Sequence, residues 1–92
     1  MPADGKTIDD PELLMEVMDA REELHEATSV GEVDALAKFA REDLQKELAG
    51  LSNLFLANDK PAIRKALLRL RYLDKFAEEA RARRANIERA RA

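Results

Sequence analysis

The chain has 92 residues, which is enough for one domain with a single hydrophobic core. It contains no cysteine and one histidine, so disulfides, thiolate metal sites and histidine-rich metal sites are excluded. The net charge is −3, but residues 1–30 hold nine acidic and two basic side chains, whereas residues 60–92 hold eleven basic and four acidic ones. Ala, Leu, Glu, Lys and Arg dominate, which is typical of an all-helical protein. Since no run approaches the roughly 20 apolar residues of a membrane span and the acidic start is not a targeting peptide, we expect a soluble intracellular domain or a fragment of a longer protein.

The first helix is predicted from about Pro11 to Ala27, after a flexible segment over residues 1–9. Asp10 is a suitable N-cap residue, and proline is favoured at the first helical position because its missing N–H costs nothing there. Apolar residues spaced by four, three, four and three form one core stripe: Leu13, Val17, Ala20, Leu24 and Ala27.

The same helix carries more apolar surface than one core contact needs. Leu14, Met15 and Met18 lie outside the core stripe. Either these residues widen the core, or another protein covers them.

The second helix is predicted from about Glu32 to Ala57, because Ser29 and Glu32 have the spacing of a capping box. Its apolar positions follow the helical period: Val33, Leu36, Ala37, Ala40, Leu44, Leu48, Leu51, Leu54 and Phe55. Gly50 lies inside this pattern, where glycine costs about 1 kcal/mol relative to alanine. It would permit either a bend or a close helix–helix approach.

The third helix is predicted to begin at Lys60 or Pro61, with Asp59 as its cap. Its core stripe comprises Ile63, Ala66, Leu67, Leu70, Leu73 and Ala77, and a second face comprises Leu68, Tyr72 and Phe76. Residues 81–92 form an Ala/Arg-rich tail that we expect to be helical near the bundle and frayed at its end. Short turns make sequential helices antiparallel neighbours, so the fold class is all-α, an antiparallel three-helix bundle over residues 10–80.

The opposite charges of the two chain ends have two explanations. The first and last helices can attract each other, or the basic helix can meet an acidic partner. Nucleic acid is disfavoured as that partner, because the basic residues are not interleaved with stacking aromatics and the chain as a whole is acidic.

No arrangement of residues predicts catalysis or a cofactor. Carboxylates recur at i,i+4 on the first helix, but only Glu22 and His25 have the spacing of a Glu-x-x-His metal motif, and a second copy is missing. His25 has no nucleophile at a recognisable spacing, and no phosphate loop or nucleophile elbow is present. The sequence therefore predicts a helical binding module without metal or other cofactor, and not an enzyme.

Two segments resemble the C-terminal domain of HscB-type iron–sulfur co-chaperones. The first is DPELLMEVMDAREEL, from Asp10 to Leu24, and the second is LRLRYLDK, from Leu68 to Lys75. The spacing between the segments is also similar, and the resemblance covers about residues 9–80. In that family an N-terminal J-domain stimulates a DnaK-type chaperone through a His-Pro-Asp motif, which this chain lacks.

The resemblance implies that the domain docks an IscU-type iron–sulfur scaffold protein, in the bacterial cytoplasm or the mitochondrial matrix. It assigns the scaffold contact to Leu14, Met15, Met18, Asp19, Arg21, Glu22 and Tyr72. Met18 stands where the family often has leucine, Asp19 where it has glutamate and Tyr72 where phenylalanine is common. DnaK-type partners would be reached only through the missing J-domain.

Two other functions stay open. The patch on the first helix could mediate self-association, as a structural or oligomerisation module. Alternatively, the tail could bind acidic lipids or nucleic acid through its arginines, which are Arg81, Arg83, Arg84, Arg89 and Arg91.

Overall fold

The computed structural model describes residues 10–91, which form three helices. They are α1 (Pro11–Glu26), α2 (Val30–Ala57) and α3 (Lys60–Arg91). The all-α, three-helix prediction is confirmed. The flexible segment expected over residues 1–9 lies outside the described residues.

Side-chain caps fix where the first two helices begin. Asp10 Oδ1 accepts hydrogen bonds from the backbone N–H groups of Glu12 (3.1 Å) and Leu13 (3.3 Å). Ser29 Oγ accepts from the Glu32 N–H, while the Glu32 carboxylate accepts from the Ser29 N–H, which completes the predicted capping box. These hydrogen bonds satisfy N–H groups that a helix start leaves without internal partners, so both starts follow from local chemistry.

The turn between α2 and α3 is equally short. Asn58 adopts the left-handed conformation (φ 54°, ψ 37°), which asparagine tolerates better than most residues. Asp59 Oδ1 then accepts a hydrogen bond from the Ala62 N–H at 3.2 Å, so the predicted cap of α3 is present.

Ion pairs between helices give their relative directions. Along α1 and α3 the paired positions rise together, from Asp10–Lys65 to Arg21–Glu79. Between α2 and α3 they run oppositely, since Asp34 pairs with Arg84 whereas Glu47, further along α2, pairs with Arg69. The three helices therefore run up, down and up in an elongated molecule of 51 × 33 × 17 Å.

The core lies where all three helices overlap. Its buried cluster comprises Leu24, Ala27, Val33, Ala40, Leu73, Phe76, Ala80 and Ile87. The α1 stripe is confirmed, because Leu13, Val17 and Leu24 are all buried. α3 continues unbroken through residues 81–91, and its Ile87 belongs to the core.

The predicted core stripe of α3 is wrong at Leu67, and the α2–α3 hairpin projects beyond α1. Leu67 was placed in that stripe but is 48% exposed, and Leu48 and Phe55, which follow the helical period of α2, are 53% and 58% exposed. α1 begins beside Lys65, so the tip of the hairpin consists of two helices, which cannot enclose all their apolar positions. Phe76 shows the converse error: it was assigned to a second face, but it is buried in the core.

Gly50 lies in the projecting part of α2. A Cβ atom built there would meet no other atom within 4 Å, so close helix packing does not require glycine at this position.

Candidate protein-binding surface

The outer face of α1 presents three large apolar side chains to solvent. Leu14, Met15 and Met18 are 40%, 64% and 60% exposed, whereas Leu13 and Val17 on the opposite side are buried. Leu13 and Val17 turn one face of α1 towards the core, and Leu14 and Met18, which are also four apart, share another face. The surplus apolar residues therefore do not widen the core, and they are available to a partner.

An open groove of about 850 Å³ separates α1 from α2. Tyr72, Leu73 and Phe76 of α3 line it together with Met15 and Phe39, and Phe39 is 66% exposed. Six carboxylates also line the groove: Glu12, Glu16, Asp19, Glu23, Glu42 and Asp43. Lys46 is the only cation among the lining residues, so the groove combines apolar surface with negative charge.

Arg69 of α3 joins all three helices. Its guanidinium contacts the carboxylates of Glu16 on α1 and of Asp43 (3.5 Å) and Glu47 (3.1 Å) on α2. Nε has no aligned hydrogen bond, so the Glu47 contact is an ion pair only. The hydrogen bond with Glu16 and the surrounding negative charge raise the pKa of Arg69, against the opposing effect of partial burial.

Sequence reasoning missed the role of Arg69. The available indication was the pair of carboxylates at i,i+4 on α2, Asp43 and Glu47, opposite a basic third helix. Attraction between the first and last helices, one of the two explanations for their opposite charges, is present in the ion pairs Glu16–Arg69 and Asp10–Lys65 (3.3 Å).

Tyr72 lies beneath α1 and is half-buried. Its ring centroid is 6.2 Å from that of Phe76, at an interplanar angle of 55°, and its side chain packs against the core cluster. Burial, assisted by the negative charge of Glu16, raises the pKa of Tyr72 to about 12. A partner would reach this residue through the groove, because it does not project outward like Leu14.

The seven residues of the expected scaffold contact divide between two places. Met15, Asp19 and Tyr72 line the groove, whereas Leu14, Met18, Arg21 and Glu22 do not. Leu68, which shares the predicted second face of α3 with Tyr72, lines a separate trough at the hairpin tip.

Arg21 already has a partner within the domain. Its Nε and terminal NH₂ donate to the two carboxylate oxygens of Glu79, at 3.0 and 2.7 Å. A binding protein that used Arg21 would therefore have to share this guanidinium with Glu79.

Two arginines of the tail also have structural roles. Arg83 donates to the carbonyl oxygens of His25 (3.2 Å) and Ala27 (2.8 Å), at the C-terminal end of α1 where carbonyls lack helical partners. Arg84 pairs with Asp34 and Glu88, both at 3.0 Å. These contacts leave fewer cations for the polyanion binding considered above.

Within residues 10–91, no group of three or more His, Cys, Asp or Glu side chains is placed to hold a metal ion. No helix in this part of the chain is long and apolar enough to cross a membrane.

Comparisons with known proteins identify relatives. Residues 9–81 match the family model described as the HSCB C-terminal oligomerisation domain. A "Co-chaperone protein HscB homolog" from Azoarcus sp. (strain BH72) is 38% identical over 80 residues, which cover 83% of this chain and 45% of that protein. The chain therefore spans less than half the length of this curated relative. No solved structure matches the chain.

Proposed function

The chain belongs to the family of HscB C-terminal domains, and from this membership we propose that it docks an IscU-type iron–sulfur scaffold protein through α1. The observation that carries the proposal is the outward position of Leu14, Met15 and Met18 on a capped helix. The resemblance to HscB-type co-chaperones assigns these three positions to the scaffold contact. Their exposure makes them accessible without any rearrangement of the core.

Docking would place one face of a preformed helix on the scaffold. Leu14 and Met18 supply apolar area, and methionine adapts to irregular partner surfaces because its side chain is unbranched and flexible. Asp19 and Glu22, both exposed, would orient the partner through charge. Since carboxylates dominate this side of the domain, the matching surface of the scaffold should be basic around an apolar centre.

Tyr72 has a different part in this proposal. Because it is half-buried against Phe76, it supports the surface from below and meets only a side chain that enters the groove. Replacing it with alanine would disturb the core as well as binding, so Tyr72 is unsuitable for a first test.

The test is a calorimetric titration of the domain with a purified IscU-type scaffold. We expect the Leu14→Ala/Met18→Ala variant to lose about 2 kcal/mol or more of binding free energy, because centrally placed apolar contacts dominate such interfaces. Leu48→Ala/Leu56→Ala is the matched control, since it removes two exposed side chains from α2 instead of α1. Both variants should keep wild-type helical content by circular dichroism.

Equal losses in the two variants would place the contact elsewhere, and no binding by the folded wild-type domain would reject scaffold docking. Binding that only the α1 variant loses would support it.

In the cell, such docking would bring the scaffold to a DnaK-type chaperone, with the J-domain of the whole co-chaperone making the chaperone contact. The domain itself would catalyse no reaction. The bacterial source of the relative favours the cytoplasm over the mitochondrial matrix.

Self-association is a second candidate, favoured by the family description as an oligomerisation domain and by the exposed apolar side chains. Light scattering at increasing protein concentration tests it. A dimer that Leu14→Ala/Met18→Ala disrupts would assign the α1 face to a second copy.

A further inference from the structure

A second apolar surface lies at the hairpin tip, away from the residues assigned to the scaffold. A trough of about 470 Å³ is lined by Phe55 of α2 and by Ile63, Leu67 and Leu68 of α3. Phe55 and Leu67 are 58% and 48% exposed. Both side chains are thus exposed and remain available to a partner.

Three cations border the trough. Lys60, Arg64 and Arg71 are among its lining residues, and all three are exposed. Their spacings of four and seven place them on one face of α3, which extends for about 16 Å or three helical turns. The trough therefore has an apolar floor and a basic edge.

These cations differ from their neighbours on α3 in having no internal partner. Within residues 10–91, Lys60, Arg64 and Arg71 form no ion pair and no side-chain hydrogen bond, whereas Lys65 pairs with Asp10 and Arg69 contacts three carboxylates. The positive charge of the trough is thus not neutralised by the described part of the domain.

The combination restricts the chemistry of the occupant. A nucleic acid or free phosphate would use the cations but gain nothing from Phe55 and Leu67. A second copy placed symmetrically on this face would bring like charges together, which is unfavourable. Carboxylates flanking apolar side chains would satisfy both parts of the trough.

We propose that the trough formed by Phe55, Ile63, Leu67 and Leu68 docks an acidic amphipathic helix of a partner protein. Its apolar side chains contact the floor, while its carboxylates pair with Lys60, Arg64 and Arg71. An amphipathic helix lying in an apolar groove is a common mode of peptide recognition. This surface does not overlap the α1 face, so the domain can hold this helix and a scaffold protein together.

The test measures the fluorescence anisotropy of a labelled synthetic peptide titrated with the 92-residue chain. The probe is a helical peptide of about 18 residues with leucine on one face and glutamate and alanine elsewhere. We expect saturable binding that weakens about tenfold in Arg64→Ala/Arg71→Ala, since charge-paired interface arginines are frequent hot spots. Leu67→Ser should weaken binding about fivefold by removing part of the apolar floor.

Arg81→Ala/Arg91→Ala is the matched control, because it takes two exposed arginines from the same helix outside the trough. Its affinity should stay within about twofold of wild type, since isolated surface charges contribute little. A second probe with glutamine in place of glutamate should bind about tenfold more weakly.

Several results would overturn the proposal. An equal loss of peptide affinity in the two arginine variants would indicate attraction by overall charge. Unchanged affinity in Leu67→Ser would show that the peptide does not contact the apolar floor. Stronger binding of heparin than of the peptide would assign the cations to polyanions. A concentration-dependent dimer abolished by Leu67→Ser would assign the trough to a second copy. Because neither probe is a scaffold protein and no variant alters α1, failure here leaves scaffold docking untouched.

Discussion

Residues of the same kind have opposite environments in the covered and the uncovered parts of the α2–α3 hairpin. Where α1 covers the hairpin, Phe76 is buried and Arg69 contacts carboxylates on both other helices. At the projecting tip Phe55 is exposed, and Arg71, two positions from Arg69 and therefore on another face of α3, forms no ion pair with any described residue. Coverage by a third helix, and not residue type, decides which apolar and basic side chains stabilise the fold.

The comparison also explains how a small domain can have both a stable core and exposed apolar surfaces. The covered end concentrates its stability in one core cluster and in ion pairs that link all three helices. The tip and the outer face of α1 contribute less to folding, so their side chains can serve partners. Substitutions of the same residue type at a covered and at an exposed position test whether the covered part supplies most of the stability.

The largest expected difference is between two phenylalanines. Phe76→Ala should lower the free energy of unfolding by about 3–5 kcal/mol, because it leaves a cavity in the core. Phe55→Ala should change it by about 0.5 kcal/mol, as is usual for exposed positions. Urea denaturation followed by circular dichroism measures both values.

Similar losses at the two positions would show that the hairpin tip is packed in solution, and the proposed trough would then be closed.

The second comparison is between two arginines two positions apart. Arg69→Met should cost about 1–2 kcal/mol of stability, because the carboxylates of Glu16, Asp43 and Glu47 lose their shared cation. Arg71→Met, at an exposed position without an ion-pair partner among residues 10–91, should be nearly neutral. Unfolding measured in low and high salt provides the control.

The Arg69→Met penalty should shrink as salt rises, because screening weakens the attraction between charges. A penalty that does not respond to salt would assign the loss to packing of the Arg69 side chain instead.

A smaller effect of opposite sign is expected at Gly50. Gly50→Ala should raise the free energy of unfolding by about 0.5–1 kcal/mol, because alanine is the better helix former and its Cβ meets no neighbour. The reciprocal control is Ala49→Gly, an exposed neighbour that should lose a similar amount. If Gly50→Ala destabilised the domain, a bend or close contact at this position would have to exist in solution.

The sequence predicted the helices well because their limits depend on neighbouring residues. Asp10, Ser29 and Asp59 cap the helix starts as expected, and these hydrogen bonds span only two or three positions. The main shift is at the start of α2, which begins at Val30 instead of Glu32. Helix assignments commonly differ by one or two residues at their ends.

Burial was predicted less well, because helical periodicity identifies a face but not what covers it. The periodic apolar positions of α2 continue through Phe55, although α1 does not extend over it. The roles of Arg69 and Arg83 depend on how the helices align, which no local pattern encodes. The binding residues on α1 came from the family resemblance combined with helical geometry, and they remain a proposal.

The last prediction concerns Tyr72 at the boundary between core and groove. It is the only tyrosine and the chain has no tryptophan, so the absorbance of the ionised phenol reports this residue alone. Its pKa is raised to about 12 by burial. At pH of about 11 the phenol should therefore be mostly protonated in the folded domain and mostly ionised in the urea-unfolded chain.

The sign of the accompanying stability change follows from proton binding. The folded state holds the phenolic proton of Tyr72 more tightly than the unfolded chain does. The resulting contribution to the free energy of unfolding is therefore fully present below a pH of about 10 and declines as pH rises towards 12. Tyr72→Phe is the control: it should lack this decline while sharing every other alkaline effect with the wild type. Partial exposure to solvent keeps the difference small. Parallel pH profiles for the two proteins, or a folded-state midpoint near 10, would mean that water reaches the Tyr72 hydroxyl freely and that the groove floor is more open than the packing of Tyr72 against Phe76 implies.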